Sequence, residues 1–173
     1  RKIRSLILTP TRELAIQIEE SFKAYGKFSR LYSTVIFGGV GQKAQTDALQ
    51  RGVDILIATP GRLLDLIGQG FIHLNSIELF VLDEADRMLD MGFVNDILKI
   101  ISFTPKSRQS LFFSATMAQK IRDFANKIIN DPIEISLSIA KPAEGVEQDV
   151  YLAHDHQKNG LLHHLIKDKT DFD

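Results

Sequence analysis

Apolar positions along this chain fall into short compact runs, separated by longer stretches in which they recur at helical spacing. Leu6-Ile7-Leu8 is one such run, stopped by Thr9-Pro10, and reads as a strand. Leu14, Ile18, Phe22 and Tyr25 then recur on one helical face, so residues 12–28 are expected to form an amphipathic helix capped by Thr11. The alternation continues. Strands are expected at 33–37, 53–58, 77–82, 110–113 and 133–137. Helices are expected at 42–50, at 60–67 behind Pro60, and at about 118–129, while 88–101 reads as loop and helix.

Strands alternating with helices build βαβ units, so the fold class is α/β, a parallel sheet with helices on both faces. Right-handed crossovers bring the C-terminal ends of the strands to one edge. Ligands bind at that edge in open α/β sheets. After Leu137 the pattern changes. Residues 138–148 contain Lys141-Pro142 and Glu144-Gly145 and read as a linker. Val150-Tyr151-Leu152-Ala153 reads as a new short strand and 157–167 as a helix. So short a segment cannot bury a core of its own and is expected to open a second domain.

Composition narrows the classes. With 173 residues, 44% hydrophobic and 25% charged, the chain has the profile of a globular domain. The absence of cysteine excludes disulfides and thiolate metal sites. No apolar run reaches the ~18 residues of a membrane-spanning helix, so no membrane association is expected. A net charge of −1 leaves no globally basic surface. Any nucleic acid must therefore be held by local groups: backbone N–H, helix N-termini and a few Arg or Lys. The five His show no ligand pattern and read as surface residues, and the eleven Phe read as core rather than as base-stacking platforms. The first residue is Arg rather than Met, which reads as a fragment.

The chemistry-bearing residues sit at the expected strand ends. Asp83-Glu84-Ala85-Asp86 follows the strand at 77–82. Adjacent acids there suit a hydrated Mg²⁺ and a positioned water, although acids at a helix start also complement its dipole. Thr59-Pro60-Gly61-Arg62 lies at a strand-to-helix junction, where free N–H groups and an arginine fork suit a phosphate. Pro10-Thr11-Arg12-Glu13 repeats that arrangement, and Gly38-Gly39 permits close backbone approach. Ser114-Ala115-Thr116 closes the series.

In order and spacing, Pro10–Ala15 (PTRELA), Gly38-Gly39, Thr59–Arg62 (TPGR), Asp83–Asp86 (DEAD) and Ser114–Thr116 (SAT) resemble motifs Ia, GG, Ib, II and III of DEAD-box RNA helicases. Residues 37–43 resemble the bacterial RhlE type. The resemblance implies a RecA-like sheet and ATP hydrolysis coupled to local unwinding or remodelling of RNA duplexes and RNPs. It implies ATP and Mg²⁺ as cofactors, single-stranded RNA bound without sequence preference, ribosomal or RNA-degradation assemblies as partners, and a cytoplasmic location. It further implies that Asp83 holds Mg²⁺ through water and that Glu84 orients and deprotonates the attacking water. Ser114 and Thr116 are then expected to bond the motif II carboxylates, notably Asp86, and to link nucleotide state to domain closure. Pro10, Thr11, Arg12, Gly38, Gly39, Thr59, Pro60, Gly61 and Arg62 are expected to form the RNA track.

The sequence departs from the family pattern in containing no G-x-x-x-x-G-K-[ST], so the P-loop strand is not among its strands. Residues 1–137 are therefore expected to be a partial first RecA-like domain, 138–148 the linker and 149–173 the start of the second. Three rival readings remain at this point: a catalytically incomplete RNA-binding fragment, a DNA translocase, and a non-enzymatic interaction scaffold.

Overall fold

The structure is a computed structural model that describes residues 1–136 and 149–167. It contains two compact units, Arg1–Ile133 and Glu134–Asp173. In the first, β1 (Ser5–Leu8), β2 (Ser33–Ile36), β3 (Ile55–Ala58), β4 (Leu79–Leu82) and β5 (Gln109–Phe112) form one parallel sheet in the order β2-β3-β1-β4-β5. The helices are α1 (Arg12–Tyr25), α2 (Lys43–Arg51), α3 (Pro60–Gly68), α4 (Ala85–Asp90), α5 (Val94–Ser102) and α6 (Gln119–Ile128).

Strand periodicity divides the core in two. Leu6, Leu8, Leu56, Ala58, Phe80 and Leu82 face Leu63 and Leu66 of α3, Met88 of α4, Ile97 and Ile100 of α5, and Phe124 of α6. Ile7, Ile55 and Ile57 point the other way, against Ala15 of α1. Because β1 and β3 are buried on both faces, they read as continuous apolar runs rather than as alternation. A fully buried side chain such as Leu6 or Leu56 contributes about 1.5–3 kcal/mol.

Three expectations need correction. The loop and helix at 88–101 is two helices, because Ala85–Asp90 is already helical and Gly92, at φ +83°, turns the chain where a side chain would be strained. No strand forms over 133–136, and Leu137 and the linker at 138–148 lie outside the described residues. Residues 150–153 are likewise not a strand, and Val150 and Leu152 are exposed. Apolar β-branched runs satisfy their backbone only with a neighbouring strand, and neither segment has one among the described residues.

The second unit contains a 3₁₀ turn, Asp155–Gln157, leading directly into α7 (Lys158–Ile166). Among the described residues no helix is long and apolar enough to cross a membrane.

Candidate functional site

Every sequence-predicted site residue lies just beyond the C-terminal end of a strand. After β1, Thr9 and Pro10 are buried, and the Thr9 hydroxyl donates to the Thr11 carbonyl at 3.1 Å. Thr11 is the N-cap of α1, its hydroxyl accepting from the Leu14 N–H at 3.3 Å. Arg12 alone in this loop offers an exposed cationic head. It lies 3.4 Å from Glu13 and 5.8 Å from the centre of the Phe37 ring.

After β2, Gly38 and Gly39 are exposed with nothing against them, and Gly39 has φ +79°. The loop is anchored by Gln45 of α2, a residue the sequence reading missed. Its Oε1 accepts from the Phe37 N–H at 3.1 Å and its Nε2 donates to the Phe37 carbonyl at 3.2 Å. An amide completing both backbone bonds of a strand end does the work of a missing neighbour strand. The available signal was its position three and four residues before Ala48 and Leu49, on the apolar face of an otherwise polar helix.

After β3, Pro60 occupies the first turn of α3 and Thr59 makes no side-chain cap, so the α3 N-terminus keeps unpaired donors. Arg62 is turned inward, with a side chain only 13% exposed. Its Nη2 donates to the Val40 carbonyl at 3.1 Å and its Nε lies 3.6 Å from Asp65. Nη1 is buried without a partner. Arg62 thus joins α3 to the glycine loop and retains one unused donor nitrogen.

After β4, the Asp83 N–H extends the ladder to the Leu8 carbonyl at 3.0 Å, while Asp83 Oδ1 accepts from the Glu84 N–H at 3.0 Å. Glu84 adopts a left-handed conformation, φ 49° and ψ 51°, unusual for a residue with a Cβ. Its carboxylate lies 3.1 Å from Arg87. Asp86 is held by the loop after β5. Its Oδ2 accepts from both the Thr116 N–H and the Thr116 hydroxyl at 2.9 Å, its Oδ1 from the Arg87 N–H, and its own N–H donates to Ser114 Oγ at 3.3 Å.

The electrostatics separate the two aspartates. Burial pushes the Asp83 carboxyl above its ordinary value, with the Glu84 charge adding to the rise and the Glu84 N–H opposing it. Burial acts in the same sense on Asp86, but the Thr116 hydroxyl and the Arg87 and Thr116 N–H groups outweigh it and hold that carboxyl below the usual range.

Among the described residues no group of three or more His, Cys, Asp or Glu converges on a metal position. Asp83 has one oxygen fixed by a backbone N–H, and the other accepts no hydrogen bond among the described residues. That donor set fits a cation that keeps most of its water and takes its remaining ligands from a phosphate substrate, as Mg²⁺ does.

The family described as DEAD/DEAH box helicase matches residues 1–124. An ATP-dependent RNA helicase RhlB of Shewanella amazonensis is 39% identical over 168 residues, which is 95% of this chain and 38% of that protein. An ATP-dependent RNA helicase DBP2 of Chaetomium thermophilum is 42% identical over 165 residues, 94% of this chain and 30% of that one. The chain therefore spans well under half the length of these relatives. A solved DEAD box protein from the hyperthermophile Methanococcus jannaschii superposes with a TM-score of 0.75 at 37% identity, covering 99% of this chain and 46% of that chain.

Proposed function

The chain belongs to the DEAD/DEAH box helicase family, and on that premise we propose that it supplies the water-activating acids and part of the RNA track of an ATP-dependent RNA helicase. The observation that carries the reading is the Asp83–Glu84–Asp86 group at the end of β4, tied through Asp86 to Ser114 and Thr116 beyond β5. Residues 1–137 are read as part of a first RecA-like domain, 138–148 as the linker and 149–173 as the opening of a second. The cytoplasm is the expected compartment, and assemblies that remodel or degrade RNA are the expected partners.

Asp83 would hold Mg²⁺ through water, and the bound ion would neutralise phosphate charge during hydrolysis of ATP. Glu84 orients and deprotonates the attacking water. The hydrogen bonds that Asp86 accepts from Thr116 and donates to Ser114 tie α4 to the loop after β5, a direct route from the nucleotide side to domain closure. Arg12, the N-terminus of α3 and Gly38-Gly39 meet the RNA backbone, with the spare nitrogen of Arg62 behind them. Phosphate contacts of this kind carry no base identity.

The test uses the intact protein. Glu84→Gln should leave ATP and RNA binding in place and slow RNA-stimulated hydrolysis by about 10²–10⁴-fold, the usual loss on removing a general base. Near-normal turnover would remove Glu84 from the role.

A further inference from the structure

The C-terminal end of α1 and the turn into β2 carry aromatic and cationic groups that neither the core nor the motif loops use. Ser21–Ser33 holds Lys23, Lys27 and Arg30 and no acid, in a chain of net charge −1. Tyr25 and Phe28 are 89% and 94% exposed, and Tyr32 is exposed beside them. The reading of Phe residues as core therefore fails at Phe28, although it holds for Phe80 and Phe124. The Lys27 ammonium lies 5.7 Å from the centre of the Phe28 ring, and the Arg1 guanidinium 4.2 Å from that of Tyr32.

Of these groups Lys27, Arg30 and Tyr32 line an open groove of about 580 Å³, together with Phe22 and Leu31 among others, while Tyr25 and Phe28 project in the same stretch of chain without lining it. The turn is fixed by its own bonds. Ser29 Oγ donates to the Gly26 carbonyl at 2.8 Å, and Arg1 Nη1 to the Arg30 carbonyl at 2.9 Å. Lys23 is paired with Glu19, whereas Lys27 and Arg30 make no ion pair among the described residues.

We infer that this surface is an auxiliary platform for single-stranded RNA, remote from the motif loops. The fourteen residues of α1 separate it from Arg12 by about 21 Å of helix. Exposed rings beside cations that make no ion pair among the described residues match what a single strand presents, a stacking face and a phosphate at each nucleotide, with the face turned away from the neighbouring cation free to stack at Phe28 and Tyr32. Lys27 and Arg30 lie in the same stretch without an ion pair among the described residues, which favours a polyanion over an apolar protein anchor. The class of ligand rests on the RNA reading of the preceding subsection, while the location does not.

The test compares strand lengths in the intact protein. Two surface variants are made, Tyr25→Ser with Phe28→Ser, and Lys27→Gln with Arg30→Gln. All four side chains lie outside the core, and an unchanged Tm confirms that folding is intact. A strand of about 10 nucleotides, close to one site size, should bind both variants as it binds the unsubstituted protein. A strand about three times longer should bind the aromatic variant roughly tenfold more weakly, the order expected for one or two lost stacks. The cation variant should lower the long strand's log–log salt slope by about 1.4, at ~0.7 per phosphate contact.

A 4-thiouridine strand should photo-crosslink within residues 24–30. Unchanged long-strand affinity in both variants would overturn the inference. So would loss of binding to a polyglutamate probe with RNA binding intact, which would assign the surface to acidic peptides. The short strand tests the motif loops separately. Its failure to bind the unsubstituted protein would sink their RNA role, while the long-strand comparison would still decide the platform.

Discussion

The two edges of the sheet place carboxylates at strand ends and satisfy them in opposite ways. At the N-terminal edge the partners are arginines. Arg4 donates Nε and Nη2 to the two oxygens of Glu78 at 3.0 and 2.9 Å, and Asp54 takes Arg1 together with the Tyr32 N–H. Arg4 holds the Glu78 carboxyl below its ordinary value. Burial pushes Asp54 upward, but the Tyr32 N–H and Arg1 outweigh it. At the C-terminal edge, Asp83 and Asp86 have no ion pair among the described residues, and their partners are backbone N–H groups and hydroxyls. The first edge neutralises its acids internally. The second pairs Glu84 with Arg87, leaves Asp83 for a cation from outside and uses Asp86 as a fastener.

That contrast breaks most sharply at Asp86. Asp86→Ala leaves the Thr116 hydroxyl, the Thr116 N–H and the Arg87 N–H without their acceptor, and should cost about 1–3 kcal/mol of unfolding free energy. Denaturant midpoints measure it. RNA stimulation of ATP hydrolysis should fall further than basal hydrolysis, because the loss lies in the link to the loop after β5. A loss confined to stability would make Asp86 a structural fastener alone.

Within the same edge, pH separates the two aspartates by sign. The lowered carboxyl of Asp86 contributes stability that is present above the unfolded value of about 3.9 and is lost as pH falls through its folded value. Asp83 is raised, so its ionised form opposes folding at neutral pH. Asp83→Asn keeps an oxygen for the Glu84 N–H and should raise Tm at neutral pH, with the gain shrinking as pH falls through the raised folded value of Asp83 and gone below the unfolded value of about 3.9. A gain that grew toward acid pH would reverse the assignment.

What the sequence made legible follows from the same physics. Apolar runs located β1 to β5 to within two residues, because β1 to β4 carry buried residues and each run ends at a marked position: Pro or Gly after β1, β2 and β3, the acids at 83–84 after β4, and Ser114 after β5. The segments at 133–136 and 150–153 misled because apolar composition records a wish for burial, not the presence of a lateral neighbour. Motif order placed Asp83, Asp86, Ser114 and Thr116 at adjoining strand ends, where the bonds are found. It gave no sign that Glu84 is left-handed or that Arg62 is turned inward, since both depend on tertiary surroundings that spacing does not encode. The exposure of Phe28 was hidden by treating a residue type as a location.

The loops beyond β1 and β3 sharpen the comparison further, because their arginines are spent differently. Arg12 is exposed and Arg62 is largely committed to Val40 and Asp65. In the intact protein, Arg12→Ala should weaken binding equally for different RNA sequences and lower the log–log salt slope by about 0.7, one single-strand phosphate. Arg62→Ala should weaken binding by displacing the glycine loop, with the larger part of its effect insensitive to salt. Equal salt slopes for the two variants would mean that both arginines meet phosphate in the same way.

The smallest effect belongs to the N-terminal edge. Arg4 and Glu78 are both well exposed, and although their paired geometry is good, solvent screening and side-chain ordering cancel most of what such a pair gains. Arg4→Met with Glu78→Gln removes both charges together, so neither is left behind. The double variant should leave hydrolysis and RNA binding unchanged and shift Tm little. The one visible change should come with acid: Glu78 is held low by Arg4, so its contribution is present above the unfolded carboxyl value of about 4.3 and lost as pH falls through the folded one. The variant should therefore show a shallower fall of Tm below that pH than the unsubstituted protein. A clear loss of activity at neutral pH would show instead that the N-terminal edge communicates with the motif loops through β1 and β4, and the division between a structural edge and a functional one would have to be abandoned.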